Sequence, residues 1–488
     1  MRRLLIGTVL GAIVVAAAVL RFADLAVNPG GLFVDEAAEA LSAQRLLHEP
    51  GYHPVFFADG GGREALFAYL VAAGFRLFGE SVLVLRSVAA GIGVVAVLAV
   101  WLLARRFGVV AGLAAAAWAA GSLWLMSVSR DGMRNTLVPL FGALSLAAVL
   151  AWQERPTRIS AVLAGAGTAV AALYTYQPLK LIPLLLVIWL AWLSRVNRPA
   201  YLRLRPTFMV LTLSFLFVGA PMIAYAISDP ASYFGRAVGV SLAVDQHINL
   251  PGHWLRTFGM FAFLGDPNAR HDVDALPLLG WPLFAVALVG VFRLWRRRHD
   301  PAHALVLWSL PVFLLPPLLA TEGEAPHFLR SLGLVAPLAV TIGLGVAELS
   351  EQAGRRWGRR ATRVVMSGAA VGLLALAVGS GQAYLSRPVA DRYQAYGYDL
   401  VAMADAARSE DVVILDAYSA GVVRFLDSAA PPRVFPPGRQ LITFPLDGNV
   451  LALTLAELEI AVGSDAMRKA RAVAFTPAGE PAVWIITP

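Results

Sequence analysis

The chain has 488 residues, 58% of them hydrophobic and 15% charged, with a formal net charge of +8 and no cysteine. Its mean hydropathy of +0.66 is far from the balance of a soluble globular protein and reads as a polytopic membrane protein. Disulfides, thiolate catalysis and cysteine-ligated zinc are excluded. Nucleic acid is not an expected partner, because the basic residues lie in short runs between apolar segments, where they act as topology signals.

The opening "MRRLLIGTVLGAIVVAAAVL" has the charged start and apolar run of a signal peptide, but no small-residue cleavage site follows it, so an uncleaved first helix is expected. A helical crossing needs about 20 apolar residues. Spans are expected near 4–23, 82–104, 108–128, 135–152, 159–176, 179–194, 207–227, 277–294, 303–320, 328–349 and 364–384, eleven in all. The arginine runs at 104–108, 153–158, 195–205, 293–300 and 355–363 then share the cytoplasmic side with the N-terminus, as the positive-inside rule requires. The stretch 64–79 is short and interrupted by Arg76. Counted as a span it would invert the later runs, so it is read as an amphipathic or half-inserted helix on the outer face.

Three outward segments follow: 24–81, 228–276 and the tail from 385. In the tail, "DVVILDA" (411–417) reads as a buried strand, "SAGVVRFLD" (419–427) as a helix and "PAVWIITP" (481–488) as a last strand. The expected architecture is therefore a transmembrane catalytic domain over 1–384 and a small extracytoplasmic α/β domain over 385–488.

Asp35 and Glu36 open a helix just outside the first span. One reading is an N-cap and a first-turn acid; the other is a carboxylate placed to take a proton from a hydroxyl nucleophile. "ADGGGREALFAYL" sets Arg63 and Glu64 at the start of the outer-face helix, as ordinary helix-start residues or as contacts to phosphate and sugar. The turn "SVSRDGMRNTL" brings Arg130 and Asp131 together, with Arg134 close by. "LYTYQPLK" ends a span with Tyr174, Tyr176 and Lys180, one of two lysines in the chain; it is either an aromatic belt with an interfacial cation or a polar cavity wall. "FLGDPNARHD" contributes His271, which with Asp272 and Asp274 offers a weak divalent-ion set, a solvated loop being the stronger reading. His327 and Arg330 share one helix face in "TEGEAPHFLRSL", as interfacial anchors or as a hold on an anionic head group.

In their order, the outer-loop "DEA", "LFGES", "VLRSVAA" and "SVSRDGMRNTLVPL" resemble bacterial members of the protein O-mannosyltransferase and aminoarabinose-transferase group, family 39-like enzymes of the GT-C superfamily of multispan glycosyltransferases. "GREALFAYL", "LYTYQPLKLIPL", "GDPNARHD" and "EAPHFLRSLGLVAP" are similar to a less characterised bacterial branch, and the resemblance covers about residues 1–350. It implies a GT-C fold in a bacterial inner membrane and transfer of one sugar from a polyprenyl phosphate donor to an extracytoplasmic hydroxyl on protein, lipid or glycan. Asp35 is then the general base, Glu36 completes the acid pair, and Arg63 and Glu64 fall where better-known members contact the donor. Two departures stand out: the Pro-Pro-Leu segment of those members is absent, with Ala65 at a proline position, and their second-turn acid sits slightly later than Asp131.

A lipid monophosphate is already a serviceable leaving group, so such a site needs a base for the acceptor and cations for the departing phosphate. Arg63, Arg130, Lys180, His327 and Arg330 are candidates for the cations. No cofactor is required; a divalent metal is possible but not indicated. The competing reading is a transporter or flippase for a lipid-linked or anionic substrate. Against it, the charges gather in outer loops rather than at mid-membrane, where transport sites lie.

Overall fold

In a computed structural model of the chain, residues 2–59, 61–241, 249–321, 323, 325–408, 411–427, 432–439, 441, 448–464 and 466–487 are described. They divide into two compact units: Met1–Ala23, His53–Phe67 and Ser87–Leu385 form the first, and Asp24–Tyr52, Ala68–Arg86 and Ser386–Pro488 the second.

The first unit is helical. Among the described residues seven helices are long and apolar enough to cross a membrane, or up to eight if one bent pair counts as a span. The expected eleven segments all fall on helices, but three cases differ from a simple crossing. Arg158–Tyr174 and Gly280–Arg296 have 17 residues each, slightly short of a full crossing. The segment expected at 108–128 is two helices, Val109–Gly121 and Leu123–Arg130, bent by 55°. The bend has a cause in Arg21, whose guanidinium donates to the Ala119 and Ala120 carbonyls at 3.0 and 3.1 Å and so takes over acceptors that the helix no longer uses. The segments expected at 328–349 and 364–384 run together as Val335–Leu385, broken at Gly358 with φ of 80°.

Close helix crossings hold the first unit together. A Cβ on Gly290 would lie 1.8 Å from the Thr341 carbonyl oxygen, and one on Gly165 would lie 2.3 Å from that of Leu211. Glycine is what lets these backbones touch. Trp152 and Trp189 are fully buried and each donates a 2.8 Å bond, to the Thr207 hydroxyl and the Pro301 carbonyl. Outward, Leu5, Leu163, Phe217 and Val371 are exposed, as apolar side chains facing lipid would be.

The second unit joins two pieces of the first loop to the tail. Its sheet has five strands in the order Arg433–Phe435, Val412–Ile414, Val450–Ala452, Pro481–Ile486, Arg471–Phe475. The first three are parallel and the last two add antiparallel. The expected strand at 411–417, helix at 419–427 and terminal strand are Val412–Ile414, Ala420–Leu426 and Pro481–Ile486. Helix Val34–His48 packs on Ala420–Leu426, and Phe75 stacks on Phe425 at 6.2 Å. The tail therefore shares one core with the loop segment that carries the acid pair.

Candidate functional site

The candidate residues fall into a group in each unit. In the second, Glu36 is fully buried and paired with Arg86: Nε and Nη2 of the guanidinium donate to Oε1 and Oε2, both at 2.8 Å. Arg86 also donates to the Gly30 and Gly31 carbonyls at 3.1 Å. The Phe33 amide donates to Glu36 Oε2 at 3.2 Å, so Glu36 caps the helix start. The expected N-cap at Asp35 is corrected: Phe33 precedes the helix and Asp35 lies inside its first turn. Asp35 is half-buried, and among the described residues no hydrogen bond to its carboxylate occupies it. Two adjacent acids thus have different surroundings: among the described residues Glu36 is paired with an arginine and Asp35 is not.

In the first unit Arg63–Glu64 is a two-residue strand paired antiparallel with Phe56–Phe57. Gly62, with φ of 93°, makes the turn, and a Cβ there would meet the Ser232 carbonyl oxygen at 2.7 Å. Glu64 is buried between two cations, with Oε1 at 3.0 Å from Lys180 Nζ and Oε2 at 3.4 Å from Arg134 Nε. Lys180 lies over the Tyr233 ring at 4.3 Å and Arg134 over Tyr176 at 5.4 Å. Arg63 is buried, ion-paired with Asp59 at 2.7 Å and set over Phe57. Asn135 is buried with neither side-chain oxygen nor nitrogen partnered among the described residues.

Helix Pro230–Gly239 links this cluster to a second one, since Tyr233 meets Lys180 and Arg236 contributes to the field at His327. Burial, then the charges of His271, Arg330, Arg270 and Arg236, hold the His327 imidazole well below the usual histidine range. His271 is also pushed down by burial, opposed by Asp266, whose Oδ2 lies 2.8 Å from His271 Nδ1. Asp266 accepts from the Phe328 amide at 2.6 Å and the Asn268 amide at 2.8 Å, and the two histidine rings are 4.9 Å apart. This corrects two expectations for the loop. His271 and Asp272 are buried rather than solvated, and the acid beside His271 is Asp266, while Asp274 is exposed at φ of 56°. Five residues of separation across a turn hide that pairing in the sequence.

Four more candidates have contacts of their own. Arg130 is fully buried and donates to the Leu20 and Ala23 carbonyls at 2.8 and 2.6 Å, clasping the end of the first helix. Asp131 is buried next to it in the chain. The Tyr174 hydroxyl donates to the Val218 carbonyl at 2.8 Å. Arg330 donates to the Ala320 carbonyl at 3.2 Å. Sequence reasoning passed over Arg86, Tyr233, Arg236, Asp266 and Arg270. Only Arg86 carried a readable signal, a cation inside an apolar run that must find a partner.

Residues 64–225 match the family described as dolichyl-phosphate-mannose-protein mannosyltransferase. No curated protein gives a significant match. Among solved structures, ArnT from Cupriavidus metallidurans bound to undecaprenyl phosphate aligns with a TM-score of 0.54 at 13% identity, over 99% of this chain and 97% of that one. The same protein in the apo state gives 0.56 at 12%, with the same coverage. An Archaeoglobus fulgidus oligosaccharyltransferase, tethered by a disulfide to an acceptor peptide containing the NVT sequon, gives 0.56 at 13%, over 99% and 74%. At such identities the likeness establishes the fold alone, that of the ArnT and oligosaccharyltransferase structures.

Proposed function

We propose that this chain is an inverting glycosyltransferase that moves one sugar from a polyprenyl phosphate donor to an acceptor hydroxyl on the extracytoplasmic face of a bacterial inner membrane. The observation that carries the reading is the pair of cations, Lys180 and Arg134, held around the buried Glu64 and each set over a tyrosine ring. Cations gathered around a half-buried site suit a phosphate that leaves with a growing charge. Glu64 carries one negative charge between two cations, so it fixes their positions without neutralising them. The structure of ArnT from Cupriavidus metallidurans bound to undecaprenyl phosphate, a protein of the same fold, supports the choice of lipid.

Asp35 is the base in this reading. Its neighbour Glu36 has both oxygens bonded by Arg86, whereas Asp35 is not so held among the described residues. Direct displacement with one base and no carboxylate nucleophile inverts the anomeric carbon. Arg130 holds the first helix and acts as a positioning residue.

All eleven segments cross the membrane in this topology, with the N-terminus cytoplasmic and Leu66–Phe78 on the outer face. The Gly358 break supports it, because it lies inside the basic run 355–363, where a cytoplasmic turn between two crossings is needed.

The test is transfer of labelled sugar from a panel of polyprenyl phosphate sugars in native membranes, comparing wild type with Asp35→Asn at matched expression. A fall of about 100-fold or more with donor binding retained is expected, the usual size of a general-base contribution. Unchanged transfer moves the base elsewhere; no transfer from any donor favours a transporter.

A further inference from the structure

We propose that the groove between helices Ile182–Val196 and Arg198–Ser228, within the first unit, binds an anionic diacyl phospholipid of the surrounding bilayer. Its phosphate sits on Arg205 and Tyr201, and an acyl chain runs along Val187, Leu190 and Phe208. The cavity has a volume of about 260 Å³, close to the lower bound of about 300 Å³ for sites that take small organic molecules.

The lining is graded. Val187, Leu190 and Ser194 lie on one face of the first helix, and Tyr201, Arg205 and Phe208 on one face of the second, since residues about three, four or seven apart stack on a helix. The helices join at Asn197. Ser194 and Tyr201 flank that turn, and Val187 and Phe208 lie about 15 Å from it along the axes. The groove is thus polar at the turn and apolar away from it, in the order of a phospholipid from head group to chain.

The polar end has donors to spare. Among the described residues the Arg205 guanidinium and the Tyr201 hydroxyl have no hydrogen bond or ion pair. A helical side chain leans toward the N-terminus of its helix, which carries Arg205 toward the turn rather than the bilayer centre. The charge is one-sided: no acidic residue occurs between Glu154 and Asp229, while Arg195, Arg198, Arg203 and Arg205 crowd into the run 195–205. The Asn197 side-chain amide donates to the His299 carbonyl at 2.9 Å and Trp192 Nε1 to that of Arg298 at 3.1 Å, so the basic run 293–300 adjoins the same turn. The nearby acids are engaged elsewhere, Glu154 by Arg106 and Asp300 by His303 Nδ1, both at 2.6 Å. Unmatched positive charge at a bilayer edge attracts anionic head groups, and an arginine fork bonds phosphate through two donors. The assignment needs only a multi-pass membrane protein and does not rest on the glycosyl-transfer reading.

Full-length protein is reconstituted in phosphatidylcholine vesicles with a minor fraction of phosphatidylglycerol that carries a photoreactive acyl chain, and cross-linked peptides are mapped after irradiation. Labelling is expected to concentrate within 187–208. It should fall at least about tenfold when the probe is a phosphatidylcholine with the same chain, the scale of a charge-assisted hydrogen bond. Arg205→Gln removes the cation and Ala191→Trp fills the groove, and each is expected to cut labelling about tenfold or more. Both positions are exposed, and monodisperse elution verifies that the variants fold. Arg359→Gln, in another basic run, controls for general surface charge and should change labelling less than about threefold. Excess inorganic phosphate is expected to leave the signal in place, because the chain supplies much of the binding. Labelling spread evenly over the lipid-facing helices, an Arg205→Gln effect no larger than that of Arg359→Gln, or displacement by inorganic phosphate overturns the assignment. So does displacement by undecaprenyl phosphate at equal or lower concentration, which would make the groove a site for a polyprenyl lipid instead.

Discussion

Glu36 and Arg86 show how one member of an acid pair is given surroundings different from its neighbour's. Both are essentially inaccessible to solvent, their bond is bidentate, and the guanidinium also serves two loop carbonyls. Removing one partner from such a pair leaves the other charge buried, which costs about 3–5 kcal/mol. Arg86→Met is therefore expected to lower the thermal midpoint in detergent by several degrees, and Glu36→Leu/Arg86→Met to recover much of that loss. The check is a thermal-shift series on the two variants and wild type. A double variant no better than Arg86→Met would mean that the carbonyl contacts, not the charge pair, dominate. The same residues mark the limit of the sequence: "DEA" suggests an acid pair, but only the fold shows that one member is sequestered.

The elements of this protein were legible to different degrees, for physical reasons. Apolar runs of 20 residues leave little choice but a helix, so Val82–Ala104, Leu137–Glu154 and Pro301–Leu319 lie where hydropathy sets them. The bend at Ser122 was not legible, because its cause is Arg21, 99 residues earlier than Ala120 in the chain. Nor was the short pairing of Phe56–Phe57 with Arg63–Glu64, since two residues carry no periodicity. That small hairpin positions Glu64 and depends on Gly62, where both the φ of 93° and the nearby Ser232 carbonyl exclude a side chain. Gly62→Val is expected to cut kcat/KM for transfer at least about tenfold, through the cost of forcing a branched residue into left-handed backbone. Gly7→Ala, where a Cβ meets nothing within 4 Å, serves as the neutral control. Equal rates in both variants would show that the hairpin does not position the site.

At the scale of the whole molecule, the tail is part of the support for the acid-bearing loop. The sequence presents 385–488 as a separate soluble domain because its composition changes there. In three dimensions the tail shares a unit with residues 24–52 and 68–86. Arg392 bonds to Asn28, the Tyr398 hydroxyl donates to the Pro29 carbonyl at 2.7 Å, and a Cβ on Gly31 would lie 2.2 Å from the Tyr396 carbonyl oxygen. Helix Ala420–Leu426 covers one side of Val34–His48. Without the tail, residues buried under it become exposed and the helix that presents Asp35 must open locally more often, since protection follows burial and tertiary contact. Deleting residues 390–488 is therefore expected to abolish transfer to every acceptor tested and to speed amide exchange in the peptides spanning 28–48 by about tenfold or more, the equivalent of a 1.4 kcal/mol loss in opening free energy. Tyr398→Phe removes one bond and should give a smaller change, with transfer retained, because a single neutral hydrogen bond contributes only about 0.5–1.5 kcal/mol. Truncated protein with unchanged exchange across 28–48, and transfer redirected among acceptors instead of lost, would make acceptor choice the tail's task and remove it from the support of Asp35.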